Sequence, residues 1–160
     1  MRLSNKHSVP YYNFLSTALI VFLLLGILAF VVEEVRFDVL GYKSYLLIIV
    51  PIAINLLFYL NGRQVFEYDS DGEALNFRNR SVIPFGSKPL NDEFPKYKLI
   101  NYQTISFLFF KRLYITVQSK NTGSTILKYE ISYLTTKELN DLKFSLSKVV
   151  KKNKQNVNNE

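Results

Sequence analysis

The sequence predicts an α+β protein. An N-terminal two-helix transmembrane hairpin precedes about seven antiparallel strands, arranged as a curled sheet or barrel and capped by a C-terminal helix. Three observations support this prediction. Two long uncharged segments occupy the first third of the chain. Short alternating apolar and polar segments follow, separated by turn signals. The apolar residues finally recur at the three- and four-residue spacing of an amphipathic helix.

The two uncharged segments are long enough to cross a membrane. Residues 14–32 and 44–62 each comprise 19 residues without a charged side chain. As helices they would extend about 28 Å, close to the roughly 30 Å hydrocarbon core of a bilayer. Acidic residues follow the first segment where a signal peptide would need a cleavage site. We therefore predict membrane helices at about residues 11–32 and 44–61, within a hairpin of residues 1–62.

The distribution of charge predicts the orientation of this hairpin. The connection at residues 33–43 has three acidic and two basic residues, whereas residues 1–10 have two basic residues and no acid. Residues 62–160 have 16 basic and 10 acidic residues. Positively charged flanks remain on the cytoplasmic side of a membrane. Both termini of this multi-pass protein are therefore predicted to be cytoplasmic.

Pro51 and Asn55 stand out within the second apolar segment, four residues apart and hence on one helical face. A kink beside a polar group could line a pathway or join helices of a partner. The alternative is a tolerated proline and an asparagine bonded to a neighbouring helix or to backbone. Because neither span contains a charge, the sequence favours this second interpretation, and both residues are predicted to serve packing within the membrane.

An acidic turn follows the second span. Aligning Gly72 with the sixth position of a helix–loop–helix calcium site places Glu67, Asp69 and Asp71 at ligand positions. The twelfth position, which requires a bidentate carboxylate, is Arg78. Apolar residues alternate on both sides of the turn, and Asp-Gly is a common hairpin signal because glycine accepts positive φ. We therefore predict a β-hairpin.

The rest of the soluble domain, predicted to occupy residues 63–152, completes the strands and adds a helix. The helix should begin at Thr135 or Thr136, with Glu138 in its first turn. Residues 86–95 read as a loop because they contain prolines and mixed charge, and residues 153–160 are predicted to be a disordered tail. Further strands are predicted at about residues 82–83, 97–102, 104–110, 113–117 and 126–131. The apolar face of the helix comprises Leu139, Leu142, Leu146 and Val149.

Composition argues against catalysis. The chain has no cysteine and a single histidine, His7, so one chain cannot assemble a thiolate site, a histidine-based triad or a multi-histidine zinc site. Ser145 and Lys148 match a Ser-x-x-Lys pattern, but the partner motifs of acyl-transfer enzymes are absent. We predict a protein that is not an enzyme, with no catalytic residue, metal or cofactor.

The soluble part is basic, and six of its basic residues are predicted to contact the membrane surface. Such residues interact with anionic lipid head groups at about 1 kcal/mol each. Ordinary solubility charge is the open alternative. Nucleic acid is not an expected partner, because the basic residues are dispersed and no recognition motif is present. The predicted contacts are Arg78, Arg80, Lys148, Lys151, Lys152 and Lys154.

The order of these elements resembles that of the bacterial pleckstrin-homology (PH)-like membrane proteins. The resemblance rests on the hairpin at residues 66–77, the hairpin at residues 113–131, and Tyr-Leu-Thr-Thr-Lys-Glu-Leu at residues 133–139, which opens the last helix. It implies a small scaffold domain in the bacterial inner membrane, without a catalytic residue, that binds lipid or protein.

Phosphoinositide-binding members of the wider fold class carry Arg-x-Arg on the second strand of the first hairpin, where this chain has Arg78 and Arg80. The turn of that hairpin departs from the pattern, because Asp69, Asp71 and Glu73 would repel a phosphorylated head group. A phosphoinositide site is therefore not expected here.

Two functional hypotheses follow. In the first, the hairpin anchors a non-enzymatic PH-like module that binds the membrane surface or an unidentified protein. In the second, the chain is an accessory subunit of a transport or envelope complex and acts through its two membrane helices. Beyond the lipid bilayer itself, the sequence identifies no partner.

Overall fold

The computed structural model describes residues 1–82, 88–108, 110–119 and 123–158. It has the predicted α+β composition and divides into two compact units. The hairpin unit comprises Pro10–Asn61. The sheet unit comprises Met1–Val9 together with Gly62–Glu160, so the N-terminal residues belong with the strands rather than with the membrane hairpin to which the sequence assigned them.

The hairpin unit contains the two expected helices, α1 (Val9–Val32) and α2 (Leu46–Leu60), the second preceded by a 3-10 turn at Gly41–Tyr45. The helical stretches Lys6–Phe37 and Gly41–Leu60 are long and apolar enough to cross a membrane. Only 11% of the most apolar part of each stretch is buried, which is unlike the core helix of a soluble protein.

The two helices approach closely at Gly26, which is buried. A Cβ atom built on Gly26 would lie 2.3 Å from the backbone oxygen of Leu47 and 2.9 Å from Cγ of Pro51. Asn55 lies one turn further along α2, and its Nδ2 donates to the backbone oxygens of Leu19, at 3.0 Å, and of Pro51, at 2.9 Å. A glycine therefore permits contact between the helices, and the asparagine binds within the hairpin.

We expect Gly26→Leu to separate the two helices, since the added side chain would overlap backbone as well as Pro51. Overpacking of this kind costs about 1–3 kcal/mol. The matched control is Ala29→Leu on the same helix, where the side chain is exposed. Thermal loss of helical circular dichroism in detergent should begin at a lower temperature for the Gly26 variant only. Equal melting temperatures for Gly26→Leu and Ala29→Leu would contradict the close contact between the helices at Gly26.

The sheet unit consists of two antiparallel sheets and a helix. Strands β1 to β4 form one sheet in that order, and strands β5 to β7 form the second. The prediction of a single curled or closed sheet is therefore corrected: the described strands form two sheets, because the chain turns through a 3-10 segment at Lys96–Lys98 between β4 and β5. The strands are β1 Arg2–Ser4, β2 Val65–Asp69, β3 Ala74–Arg80, β4 Leu90–Pro95, β5 Leu99–Phe107, β6 Phe110–Ser119 and β7 Gly123–Glu130.

The predicted hairpin at the acidic turn is confirmed. Strands β2 and β3 pair antiparallel, and Gly72 in the turn has a φ of 71°. The backbone N–H of Asp71 donates to Oδ1 of Asp69 at 2.8 Å, which closes the turn locally. The alternation along β6 is also confirmed, since Leu113, Ile115 and Val117 are all buried.

Three other strand predictions differ from the structure. Residues 90–95 form β4 rather than a loop, because their pairing with β3 buries Phe94 opposite Leu75. Most of the segments predicted at 97–102 and 104–110 forms one strand, β5, which pairs with β6 apart from one irregularity near Leu99. Tyr97 and Lys98 lie in the 3-10 segment instead, and Phe110 begins β6. Val82 lies in a bend, and the remainder of the expected third strand, from Ile83, is outside the described residues.

The N-terminal strand β1 was not predicted. It pairs with β2 and places Leu3 opposite Tyr68, with both side chains buried. The side chain of Asn5, which is also buried, then donates to the backbone oxygen of Gln64 at 2.7 Å and accepts from the N–H of Phe66 at 2.8 Å. The residues that enter α1 are thereby fixed beside those that leave α2 for the sheet unit.

The C-terminal helix, α3 (Thr136–Asn158), starts with the predicted cap. Thr135 Oγ1 accepts from the N–H of Glu138 at 3.2 Å, and the Glu138 carboxylate accepts from the N–H of Thr135 at 2.8 Å. Leu139, Leu142 and Leu146 are buried against the sheets. Residues 153–158 are helical where a disordered tail was predicted, and Asn153 there bonds to the backbone before β5.

Aromatic rings from both sheets form the centre of the core. Phe77 on β3 stacks on Tyr129 of β7, with ring centroids 5.0 Å apart and planes 17° apart. It also stacks on Phe94 at 5.6 Å. The two sheets therefore share one hydrophobic core, although no ladder joins β4 to β5 among the described residues.

Candidate functional site

The six basic residues predicted to contact the membrane surface do not form one cluster. Arg78 on β3 is exposed and donates through Nε to Oδ1 of Asn91 at 3.2 Å. Arg80 ends β3 opposite Val65, near the point where the chain enters the sheet unit. The other four, Lys148, Lys151, Lys152 and Lys154, are on the C-terminal half of α3.

Two of these lysines line a groove of about 480 Å³. We call it the basic groove. It lies between the β2–β3 turn, the 3-10 segment at Lys96–Lys98 and α3. Its lining includes Ser70, Glu73, Lys96, Tyr97, Phe144, Ser145, Lys148, Lys152 and Asn153.

Hydrogen bonds hold the three walls of the basic groove together. The N–H of Lys96 donates to the oxygen of Glu73 at 2.9 Å, and its ammonium group contacts the oxygen of Gly72. From α3, Asn153 Nδ2 donates to the oxygens of Lys96 and Leu99, each at 2.8 Å. Both backbone and side-chain hydrogen bonds therefore join the segments that line the groove.

The basic groove combines positive charge with exposed aromatic surface. Lys96, Lys148 and Lys152 line it, against a single carboxylate, Glu73. Tyr97 is 68% exposed and Phe144 is 72% exposed. Lysines beside exposed aromatic rings suit a ligand that carries both acidic and apolar groups.

Ser145 lies in the same groove, where its hydroxyl is close to two other hydroxyl groups. Its hydroxyl is 3.0 Å from the Tyr68 hydroxyl and 3.4 Å from that of Ser70. Burial raises the pKa of the Tyr68 phenol above its usual value, although its hydrogen bonds to both serines oppose that shift. A neutral phenol does not activate a serine, and within the described residues no hydrogen bond joins Ser145 to Lys148.

The carboxylates of the acidic turn pair with the N-terminal strand. Asp69 lies 2.9 Å from Nε of Arg2, Asp71 contacts both Arg2 and the Met1 amino group, and Lys6 lies 2.9 Å from Glu67. The hydrogen bond from that amino group lowers the pKa of Asp71. In the described part of the chain, no group of three or more His, Cys, Asp or Glu residues could hold a metal ion.

Two other clefts lack this concentration of charge and aromatic surface. One contains Arg78 and Arg2 but also Glu67, Asp69 and Glu93, so its charges are mixed. The other, of about 520 Å³, is open and lies between β4 and the β6–β7 hairpin.

Of the residues that line the basic groove, sequence reasoning singled out Lys148 and Lys152, as membrane-surface contacts, but not Lys96, Tyr97 or Phe144. Phe144 could have been identified, because it is an apolar residue off the Leu139–Leu142–Leu146 face of an amphipathic helix. Lys96 and Tyr97 carry no such signal, since only tertiary folding brings them to α3.

Comparisons with known proteins do not identify a family. The resemblance to PH-like membrane proteins rests on the order of the elements, and the structure establishes only an α+β architecture with two candidate membrane helices. No family model, curated protein or solved structure matches the chain.

Proposed function

We propose that the protein is a membrane-anchored, non-enzymatic interaction module of PH-like type, whose sheet unit binds an acidic, aromatic-containing segment of a partner protein in the basic groove. The observation that supports this proposal most is that Lys96, Lys148, Lys152 and two exposed aromatic rings line the same groove. Complementary charge steers association, and buried aromatic contacts supply much of the affinity in such interfaces.

The proposed location is the bacterial inner membrane, with two spans and cytoplasmic termini. The excess of basic residues after residue 62 and the net negative connection between the helices support this orientation. A cytoplasmic sheet unit would meet soluble partners and the cytoplasmic parts of membrane proteins.

Geometry favours a protein ligand over the lipid surface for the basic groove. The chain leaves and re-enters the sheet unit near Asn5 and Gln64, which bond to each other at the start of β2. The groove includes Ser70 and Glu73, beyond the other end of β2. We call these two ends of the unit the tether end and the turn end. The groove lies at the turn end, away from the residues through which the sheet unit is joined to the hairpin, and this separation supports a protein ligand.

The alternative, an accessory subunit acting through its membrane helices, has less support. Pro51 is buried within the hairpin unit, and Asn55 donates to Leu19 of α1 as well as to Pro51. These contacts lie within the hairpin unit and support the packing interpretation, which stays a prediction.

The test compares two charge reversals on α3. Lys148→Glu/Lys152→Glu changes the groove, whereas Lys151→Glu/Lys154→Glu makes the same change at exposed residues that do not line it. Full-length protein in nonionic detergent is titrated into a fluorescein-labelled peptide of alternating glutamate and phenylalanine, with anisotropy as readout. The groove variant should bind about tenfold more weakly, since each lost ion pair contributes up to about 1 kcal/mol and reversal adds repulsion.

The control variant should stay close to wild-type affinity. Equal losses of peptide affinity in both variants would show that the general positive charge of α3 is responsible. That result would overturn the assignment of the basic groove as the binding site. Absence of peptide binding by the wild-type protein would also overturn the proposal. Binding of the soluble head group glycerophosphoglycerol to the wild-type protein but not to the groove variant, measured by calorimetry, would then support lipid as the ligand of the groove.

A further inference from the structure

The β5–β6 hairpin carries apolar side chains that the fold leaves unburied. Phe107, the last residue of β5, is 68% exposed, and Leu108, which follows it, is 77% exposed. Ile105 is 53% exposed on the same strand. We call Ile105, Phe107, Leu108 and the half-buried Phe110 the apolar tip. Contiguous exposed apolar residues of this kind indicate contact with a membrane or another protein.

The backbone at Leu108 is unusual. Its φ is 49°, in the left-handed region that glycine or asparagine normally occupies. A leucine there costs about 1 kcal/mol or more in backbone strain. Packing within the fold does not offset this backbone strain, because the leucine side chain is mostly exposed to solvent. Leu108 thus exposes an apolar side chain to solvent, and the strained backbone at this residue lowers local stability.

Two cations follow the apolar tip on β6. Lys111 and Arg112 have no salt bridge within the part of the chain that the structure describes. The nearest acid in the strand register is Glu130, opposite Arg112, and its carboxylate instead lies 3.2 Å from Nη1 of Arg63. Apolar residues flanked by unpaired cations match the interfacial region of an anionic bilayer, where rings enter the acyl boundary and cations remain among phosphates.

The apolar tip is at the tether end of the sheet unit. The backbone N–H of Arg63, one residue after Gly62, donates to the Glu130 carboxylate at 2.8 Å. Glu130 pairs with Arg112, only two residues from Phe110. The tip therefore lies near the place where the chain arrives from the second membrane helix, at the opposite end from the basic groove.

We propose that the apolar tip inserts into the bilayer that anchors the hairpin, with Phe107 and Leu108 in the acyl boundary and Lys111 and Arg112 against anionic phosphates. The tip is separate from the basic groove, so the inference does not depend on the peptide proposed for that groove. Its effect is to hold the sheet unit at the membrane surface.

The test uses the absence of native cysteine, which makes single-site labelling simple. Leu108→Cys and Gln118→Cys are each labelled with a polarity-sensitive fluorophore in full-length protein, reconstituted in vesicles of zwitterionic and anionic phospholipid. Gln118 is exposed near the other end of β6 and serves as the matched control. Brominated lipids should quench the label at position 108 at least about threefold more than the label at 118, given insertion to about 5–10 Å.

A second variant guards against misfolding at the strained position. Leu108→Asn suits the left-handed backbone better than leucine does, so it should fold while removing the apolar side chain. A label at Phe107→Cys in this background should lose most of its lipid quenching. Equal quenching at 107 with and without Leu108→Asn would overturn the proposal, as would equal quenching at 108 and 118. A blue-shifted label that lipid does not quench would identify a second copy of the chain as the occupant, which also overturns it.

Discussion

An Asn79→Ala variant is expected to lose about 3 kcal/mol of unfolding free energy, although it removes only one polar side chain. Asn79 is fully buried on β3. Its Nδ2 donates to the backbone oxygens of Val65, at 3.1 Å, and Glu130, at 3.0 Å, and its Oδ1 accepts from the Glu130 N–H at 2.9 Å.

This carboxamide joins the two sheets. Val65 belongs to β2 of the four-stranded sheet, and Glu130 ends β7 of the three-stranded sheet. Alanine would leave three backbone groups without their partner at a buried position. Each such orphaned group costs about 1–3 kcal/mol, and relaxation of the chain recovers part of the total.

Denaturant unfolding of the full chain in detergent, followed by the β-sheet circular dichroism signal, measures the loss. Asn101→Ala is the matched control, because Asn101 is an exposed asparagine on β5. Its free energy of unfolding should change by less than about 0.5 kcal/mol. Asn79→Asp should be at least as damaging as Asn79→Ala, since it removes both donors and buries a charge. Equal stability of Asn79→Ala and Asn101→Ala would contradict the role of this side chain.

The two long apolar helices, β6 and the start of α3 were predictable because each has a clear pattern in the local sequence. A charge-free run of 19 residues has few soluble alternatives. Apolar and other residues alternate strictly from Leu113 to Val117, which places the apolar side chains on one face of a strand. Thr135 and Glu138 have the spacing of a capping box, and the structure contains that cap.

Strands β1 and β4 were missed because their pairing is determined by distant residues. Arg2–Ser4 is too short to show a period, and it becomes a strand only when its charges meet the acidic turn. Leu90–Pro95 contains two acids, an asparagine and a proline, all depleted in strands. Its place against β3 follows from the burial of Phe94.

The same limit applies to the candidate site. Lys148 and Lys152 are four residues apart, so the sequence places them on one helical face. Their relation to Lys96 and Tyr97 depends on the hydrogen bonds of Asn153, which local sequence does not reveal. Without those walls, the lysines resemble general surface charge.

Replacing Phe77 with alanine should destabilise the sheet unit by about 3–5 kcal/mol, the range for deleting a buried phenylalanine. Phe77 is fully buried, and its ring lies within 5.0–6.4 Å of four others. Tyr129 contributes from the second sheet, so the cavity would open where the two sheets meet. The four neighbouring rings are Phe66, Tyr68, Phe94 and Tyr129.

Comparison of Phe77→Ala with Phe144→Ala separates the effect of lost core packing from the effect of losing an aromatic side chain. Phe144 is 72% exposed on α3, so its removal should change the free energy of unfolding by less than about 0.5 kcal/mol. Phe77→Leu should fall between the two, because leucine fills part of the cavity without restoring the stacking on Tyr129 and Phe94. If Phe77→Ala melted like Phe144→Ala, the sheets would not share one core. Hydrogen bonds between the sheets, such as those of Asn79 and the one from the Tyr129 hydroxyl to Asp92, would then have to hold them together. The combined Asn79→Ala/Phe77→Ala variant would in that case show no coupling beyond the sum of the single effects.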